Sequence, residues 1–168
     1  MSRSFRRMVA GKAERPWLHA SSEDIVGAMD DARIITDRQG LEVLSNEECW
    51  KLVGESRVGR VAFVDAGDPV ILPVNHVLVG KTVAFLTAPG SKLHAAGMAK
   101  PVGFEVDGHD DASHQGWSVI IRGRAERVYD EDEIAKLAEA GLTPWATETD
   151  RNDWVEIRVH EISGRRII

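Results

Sequence analysis

One segment combines the residue types that bind a phosphate, Thr87-Ala88-Pro89-Gly90-Ser91-Lys92-Leu93. The strand pattern before this segment ends where the segment begins, and Gly90 lets the backbone come close to a ligand. Ser91 and Lys92 then offer a hydroxyl, a cation and free amides at the predicted N-terminus of a helix. The same residues also fit a plain N-cap beside a solvated lysine. Both interpretations stay open for this segment.

A second segment, Pro73-Val74-Asn75-His76, places polar side chains in an apolar strand. Pro73 cannot donate a hydrogen bond to a ladder, so the strand must expose an edge or form a bulge there. Asn75 and His76 then interrupt the apolar run. The segment indicates either a bulge whose polar groups are satisfied within the protein or a site that a ligand completes.

Other motifs do not indicate the common enzyme classes. The patterns G-x-S-x-G, H-E-x-x-H and G-x-G-x-x-G do not occur. Gly80-Lys81-Thr82 resembles the end of a P-loop, but Asn75 stands where the first glycine is required, and a strand follows instead of a helix. We therefore interpret this tripeptide as a hairpin turn.

Metal and thiol chemistry are not expected either. Residues 107–116 form a predicted polar loop that holds four residues of metal-ligand type, His109, Asp110, Asp111 and His114. This composition is typical of a solvated acidic loop. Cys49 lies on the apolar face of a predicted helix, where a thiol is usually an inert small hydrophobe. We predict no metal site and no cysteine nucleophile.

The elements that must position these residues follow from changes in the hydrophobic period. A capping box of Ser45 and Glu48 predicts a helix over residues 45–56. Two further helices are predicted, Ser91–Ala99 and Asp130–Ala140. Strand patterns cover Val58–Val64, Val70–Val79, Thr82–Leu86, Val102–Val106, Trp117–Val128, Trp154–His160 and Gly164–Ile168.

Strands outnumber helices and occur mostly as neighbours in the sequence. This favours a mainly β fold with peripheral α-helices, a small antiparallel barrel rather than a βαβ layout. The first three strands are joined by tight turns and predict a meander. Val70–Val74 is apolar at every position, so both faces of that strand must be covered, one by the core and the other by a helix or a second subunit. We therefore expect a homodimer.

Length and charge limit the partners and the compartment. The chain has 168 residues with 27 acidic and 21 basic side chains, a net charge of −6, which disfavours nucleic acid and anionic lipid as partners. It has one cysteine and no apolar run long enough to span a membrane. We expect a cytoplasmic protein with one main domain, residues 42–168, preceded by an N-terminal tail and short helix, residues 1–41.

Six short motifs follow one another in the main domain: Arg57–Val64, Pro73–Val77, Thr87–Leu93, Phe104–Asp107, Gly116–Val119 and Gly123–Ala125. In this order the sequence resembles the pyridoxamine 5′-phosphate oxidase-like flavin-binding split barrels. The likeness spans about residues 42–168 and ends in Ile162-Ser163-Gly164-Arg165-Arg166-Ile167. The first forty residues lie outside it.

The resemblance implies a six-stranded antiparallel split β-barrel that forms a homodimer, with two FMN molecules in clefts between the subunits. Carried over position by position, it implies the cofactor-binding residues Pro73, Val74, Asn75, Thr87, Ser91, Lys92, Trp117 and Ser118. The first three line the isoalloxazine, and the threonine lies beside the ring. The serine and the lysine that follow it hold the phosphate. The last two residues come from the partner subunit.

Pyridoxamine phosphate oxidases proper carry Arg and Lys where this chain has Ile71 to Val77. The likeness therefore shifts toward the subgroup that includes nitroimidazole-resistance proteins. It implies an FMN-binding oxidoreductase that passes electrons or a hydride to a small-molecule acceptor. The alternatives are an F420-dependent reductase on the same barrel and a non-catalytic module that holds flavin or haem. His76 is either a proton donor near the ring or a satisfied histidine of the core.

Overall fold

Residues 34–88, 98–143 and 153–167 are described by the computed structural model and form one eight-stranded sheet with two helices. They lie within one unit, Ile34–Ile168. The helices are α1 Asn46–Glu55 and α2 Glu131–Glu139. The strands are β1 Glu42–Val43, β2 Val58–Asp65, β3 Asp68–Asn75, β4 Val77–Val79, β5 Thr82–Thr87, β6 Met98–Asp110, β7 Gln115–Arg127 and β8 Asp153–Ile167. The predicted N-terminal helix falls outside the described residues.

Helix α1 begins at the capping box, as the sequence predicts. The Ser45 Oγ accepts from the Glu48 amide at 3.2 Å, and Glu48 Oε2 accepts from the Ser45 amide at 2.9 Å. These bonds satisfy amides that the first turn leaves free, and they hold the pKa of Glu48 below its ordinary value. The carboxylate of Asp130 caps α2 in the same way, accepting from the Glu133 amide at 2.9 Å. Neither of these described helices has both the length and the apolar character needed to cross a membrane.

The strands form an antiparallel sheet in the order β3-β2-β6-β7-β8-β5-β4, with β1 paired to β8. Its two edge strands, β3 and β4, are separated in the chain only by His76. The sheet must therefore curl until its two edges approach each other, as in a split barrel. Six of the strands have six or more residues. The predicted mainly β, antiparallel split barrel is confirmed, with two short strands, β1 and β4, in addition to the six expected.

The predicted meander is wrong at its third strand. Strands β2 and β3 form one hairpin, and β4 and β5 form another, but these hairpins lie at opposite ends of the sheet. The single strand predicted over Val70–Val79 is likewise two strands, because the chain leaves one edge at Asn75 and joins the other at Val77. A hydrophobic period shows that a segment is extended, but it does not show which strand it pairs with.

Strands β6 and β7 are longer than their apolar patterns indicate. They run to a tight turn at residues 111–114, so most of the predicted loop over residues 107–116 is paired instead. Met98 and Ala99, predicted as the end of a helix, belong to β6, while the rest of that predicted helix lies outside the described residues. Backbone hydrogen bonds extend a ladder through polar residues as readily as through apolar ones.

Strand β8 is continuous, although the sequence predicts two strands there. Its register against β7 shifts by one residue, so that Glu161 pairs with Arg122 and Val159 pairs with Gly123. The extra residue, His160, forms a β-bulge. A bulge bends a strand and increases its twist without ending the ladder, which explains why the polar interruption near residue 160 does not separate two strands.

The core lies between the inward faces of the strands and helix α1. Strand β2 alternates, with Val61 and Phe63 buried and Val64 exposed. Cys49 of α1 is fully buried, and this burial raises the pKa of its thiol, so it packs as a small hydrophobe. The largest fully buried side chains are Phe85, Phe104, Ile121 and Ile157.

Candidate functional site

Strand β3 carries the first group of predicted site residues and is an edge strand. Pro73 lies opposite Arg60 of β2, and among the described strands β3 pairs with β2 alone. This confirms the prediction that the strand exposes an edge at Pro73. A proline on an edge strand can lack its N–H without losing a hydrogen bond of the ladder. Val74 is 8% exposed and points into the core, so only its backbone can face a ligand. Asn75 Nδ2 donates to the Arg57 carbonyl at 3.3 Å, which fixes this amide at the end of the strand.

His76 is buried at the point where the chain passes from one edge of the sheet to the other. Its Nε2 lies 3.0 Å from the Val53 carbonyl, near the end of α1, and its ring meets the edge of Phe104 with centroids 5.0 Å apart. Because a carbonyl can only accept, Nε2 carries the proton. Nδ1 has no hydrogen-bond partner among the described residues. Burial also lowers the pKa of His76, so the ring is neutral and its one proton is held by the backbone.

Thr87 ends β5 in a buried polar cluster. It lies opposite Asp153 of β8, and both side chains are less than a tenth exposed. Asp153 accepts a hydrogen bond from Arg127, whose guanidinium lies 5.0 Å from the centre of the Tyr129 ring. Sequence reasoning missed this ion pair, because its partners belong to no motif and come from different strands. Ser91 and Lys92, which follow Thr87 in the chain, lie outside the described residues.

Trp117 forms one wall of an open groove of about 540 Å³ near the turn between β6 and β7. Its indole packs on the backbone of Gly108, where an added Cβ would lie 2.8 Å from the indole Nε1. Only glycine permits this approach. Arg166, on the other side of the groove, pairs with Glu42 at 3.0 Å and with Glu48 at 3.6 Å. The groove was not predicted, since its residues lie on three strands.

Within one chain the predicted site residues fall into two groups. Pro73 to Asn75 and Thr87 lie on β3 and β5, which approach each other across the curl. Trp117 and Ser118 lie on β7, three strands from β3 in the sheet, or roughly 14 Å along it at the usual strand spacing. Along the sheet of one chain the two groups therefore lie apart, and the contribution of Trp117 and Ser118 from a second copy stays a prediction.

A family model described as pyridoxamine 5′-phosphate oxidase matches residues 45–166 of this sequence. The chain belongs to that family. The resemblance drawn from the six motifs is thus confirmed. The matched residues include α1, α2 and the strands from β2 to β8 as far as Arg166, so the family unit covers most of the curled sheet and both described helices.

Similar proteins cover most of the chain. The FAD binding protein from Mycobacterium smegmatis is 40% identical with a TM-score of 0.66, and the match covers 75% of this chain and 99% of that one. A conserved protein of unknown function from Corynebacterium diphtheriae is 31% identical with a TM-score of 0.64, over 76% of this chain and 98% of that one. An uncharacterised protein from Mycobacterium tuberculosis is 31% identical over 130 residues, which are 74% of this chain and 84% of its own length.

Proposed function

We propose that this member of the family is a flavin-binding oxidoreductase that passes electrons or a hydride to a small organic acceptor. The observation that carries the proposal is the 40% identity to the FAD binding protein of Mycobacterium smegmatis, over nearly the whole of that protein. FMN and FAD share the isoalloxazine and the ribityl phosphate, so either would use the same ring site. When bound, the flavin supplies the redox chemistry, and the protein holds and orients it.

The described residues of β3 and β5 fit such a ring. A planar apolar ring needs flat walls and a few polar groups at its edge. Pro73 and the backbone of Val74 offer an edge strand with its outer side open, and Asn75 lies beside them with its amide fixed. Thr87 ends the neighbouring strand in the cluster with Asp153. Ser91 and Lys92 follow as the proposed phosphate ligands.

We also propose a homodimer in which the partner's Trp117 and the partner's Ser118 complete the ring site. In a single chain the outer face of the sheet leaves apolar side chains in solvent: Ile71 is 65% exposed, Val64 60% and Ile120 46%. Ala62, opposite Ile71, adds a small half-buried neighbour to this face. Ile71, Ala62 and Val64 form one apolar patch on β2 and β3, and the Arg60–Glu105 pair separates Ile120 from it. An exposed apolar patch is typical of an interface. The cover predicted for the outer face of β3 would therefore come from a second copy, while the core covers the inner face.

In this proposal the ring, not an ionising side chain, carries the reaction. His76 is neutral, and its Nε2–H donates a hydrogen bond to the Val53 carbonyl. This position matches the interpretation of His76 as a core histidine rather than as a proton donor near the ring. A flavin needs no protein acid or base to exchange electrons, so the chain's task is to bind the ring, orient it and limit access of solvent. A single cysteine suits the reducing cytoplasm as its compartment.

The visible absorption spectrum of the purified protein tests the proposal. We expect a flavin band, or its appearance when FMN or FAD is added to the apoprotein. Parallel titrations with F420 and haem test the alternatives on the same barrel: tighter binding of either one than of both flavins would contradict the assignment. A protein that binds none of the flavins refutes it.

Turnover separates an enzyme from a binding module. The flavin-loaded protein should be reduced anaerobically by NADH or NADPH and reoxidised by a quinone or nitroaromatic acceptor. Repeated cycles of reduction and reoxidation support the oxidoreductase. Stable binding with no reduction by either nucleotide would indicate a non-catalytic flavin module instead.

A further inference from the structure

The segment that joins helix α1 to strand β2 binds two consecutive side chains, those of Asn75 and His76. The Asn75 Nδ2 donates to the Arg57 carbonyl at 3.3 Å, and the His76 Nε2 donates to the Val53 carbonyl at 3.0 Å. Both carbonyls belong to what we call the α1–β2 joint, residues 52–57. His76 is also the one residue between β3 and β4. The joint therefore holds the chain where it passes from one edge of the sheet to the other.

The hydrogen bond from His76 also caps helix α1. The last carbonyls of a helix have no amide donor within it. The Leu52 carbonyl accepts from the amide of Ser56 at 3.1 Å and from its Oγ at 2.8 Å, and the next carbonyl along the helix, that of Val53, accepts from the imidazole. A buried carbonyl that loses its donor is costly. The imidazole thus fastens the passage between β3 and β4 to the end of α1.

Close packing restricts the position of the imidazole. The ring is 4% exposed and meets the edge of Phe104 of β6. Phe104 itself covers Gly59 of β2, where any Cβ would overlap the phenyl ring. Gly54 of α1 faces Leu78 of β4, whose Cδ2 would lie 3.3 Å from an added Cβ. The imidazole is therefore held by packing as well as by its hydrogen bond.

We propose that His76 is a positioning residue of the flavin ring site and acts through Asn75. The inference rests on the proposed function, in which Asn75 lies at the polar edge of the ring. Because the two residues are adjacent and are bonded to the same joint, the hydrogen bond of His76 fixes the backbone that carries the Asn75 amide. The buried imidazole needs no contact with the ring for this role.

Two variants of His76 and one control test the hydrogen bond. His76→Leu removes the donor and keeps an apolar side chain of similar size against Phe104, whereas His76→Gln keeps an amide donor for the Val53 carbonyl. His160→Leu is the matched control, since His160 is exposed at the bulge of β8. Fluorescence titrations of the full chain measure the dissociation constant of FMN. We expect it to rise about tenfold in His76→Leu and to stay near the wild-type value in the other two variants.

A double-mutant cycle with Asn75→Ala tests whether the effect passes through Asn75. In that case His76→Leu adds less than about twofold to the loss of affinity that Asn75→Ala causes alone. Lumiflavin, which has the ring but no phosphate, should lose the same factor as FMN in His76→Leu. Losses from the two substitutions that multiply would mean that His76 acts on the fold in general, and they would overturn the inference.

Circular dichroism of each variant checks that it folds. If His76→Leu does not fold, His76→Asn replaces it, because its amide is one carbon shorter than that of glutamine and falls short of the Val53 carbonyl. The inference is also overturned if the variant without the donor binds FMN as tightly as the wild type, or if His76→Gln binds it as weakly as that variant. These results leave the proposed flavin function intact. A wild-type protein that binds no flavin refutes the proposed function and the inference together.

Discussion

His76 is a buried titratable residue, and its burial predicts a pH dependence of stability. Burial holds its folded pKa below the ordinary value of 6.5. The unfolded chain therefore binds a proton at higher pH than the folded chain. The free energy of unfolding should be fully retained above pH 6.5 and should fall as the pH drops from there toward the lowered folded pKa.

His76→Gln tests this linkage, because glutamine offers an amide donor toward the Val53 carbonyl but does not titrate. We expect the melting temperature of the wild type to fall more steeply than that of the variant between pH 7.5 and 5. Carboxylates and the other histidines are the same in both proteins, so their contribution cancels in the difference. If the melting temperatures of the two proteins fall in parallel with pH, His76 has the same pKa in the folded and unfolded chains.

Lys92 is the residue on which the proposed phosphate contact depends most. Lys92→Ala should weaken flavin binding by roughly 1.5 to 3 kcal/mol, the usual contribution of a hydrogen bond to a charged group, while the melting temperature of the apoprotein stays unchanged. Lys81→Ala is the matched control, since Lys81 is exposed in the turn between β4 and β5. Equal affinities in the two variants, measured by flavin fluorescence, would remove the lysine from the site.

At the scale of elements, the predictable features are those encoded locally. The capping box at Ser45, the cap at Asp130 and the alternation of β2 all follow from neighbours within four residues. The place of β4 at the far edge of the sheet does not, because it depends on the curl of the whole sheet. The same distinction applies to the site. Pro73 and Asn75 can be predicted from the sequence, because they interrupt an apolar strand pattern. The ion pair of Arg127 and Asp153 cannot, because the pairing of β7 with β8 brings these two residues together.

Helix α1 links the local signal to the closure of the sheet, because its Val53 carbonyl receives His76. Ser45→Ala removes one half of the capping box and should lower the free energy of unfolding by about 1 kcal/mol. Glu47→Ala, in the same first turn but outside the box, should change it by less than about 0.5 kcal/mol. Chemical denaturation measures both. Equal losses would mean that the box does not set the start of α1.

For the whole molecule, substitutions on the two faces of β3 should affect different processes, folding on the inner face and dimer formation on the outer face. Val74 is 8% exposed and belongs to the core, whereas Ile71 is 65% exposed on the outer face of the sheet. A charge at Val74 must be buried without a partner, so Val74→Asp should prevent folding. A charge at Ile71 stays in contact with solvent in the isolated chain, and in the proposed dimer it would disrupt the surface that the second copy covers.

Ile71→Asp should therefore yield a folded monomer, with native circular dichroism and half the wild-type mass by light scattering. Since the partner's Trp117 would then be missing from the ring site, the monomer should also bind flavin more weakly than the wild type. Ile34→Asp is the control, because Ile34 is 59% exposed but lies outside the strands of the sheet, and it should leave mass and affinity unchanged. A dimer that survives Ile71→Asp would place the interface on another surface. A monomer with full flavin affinity would instead show that one chain holds the ring alone.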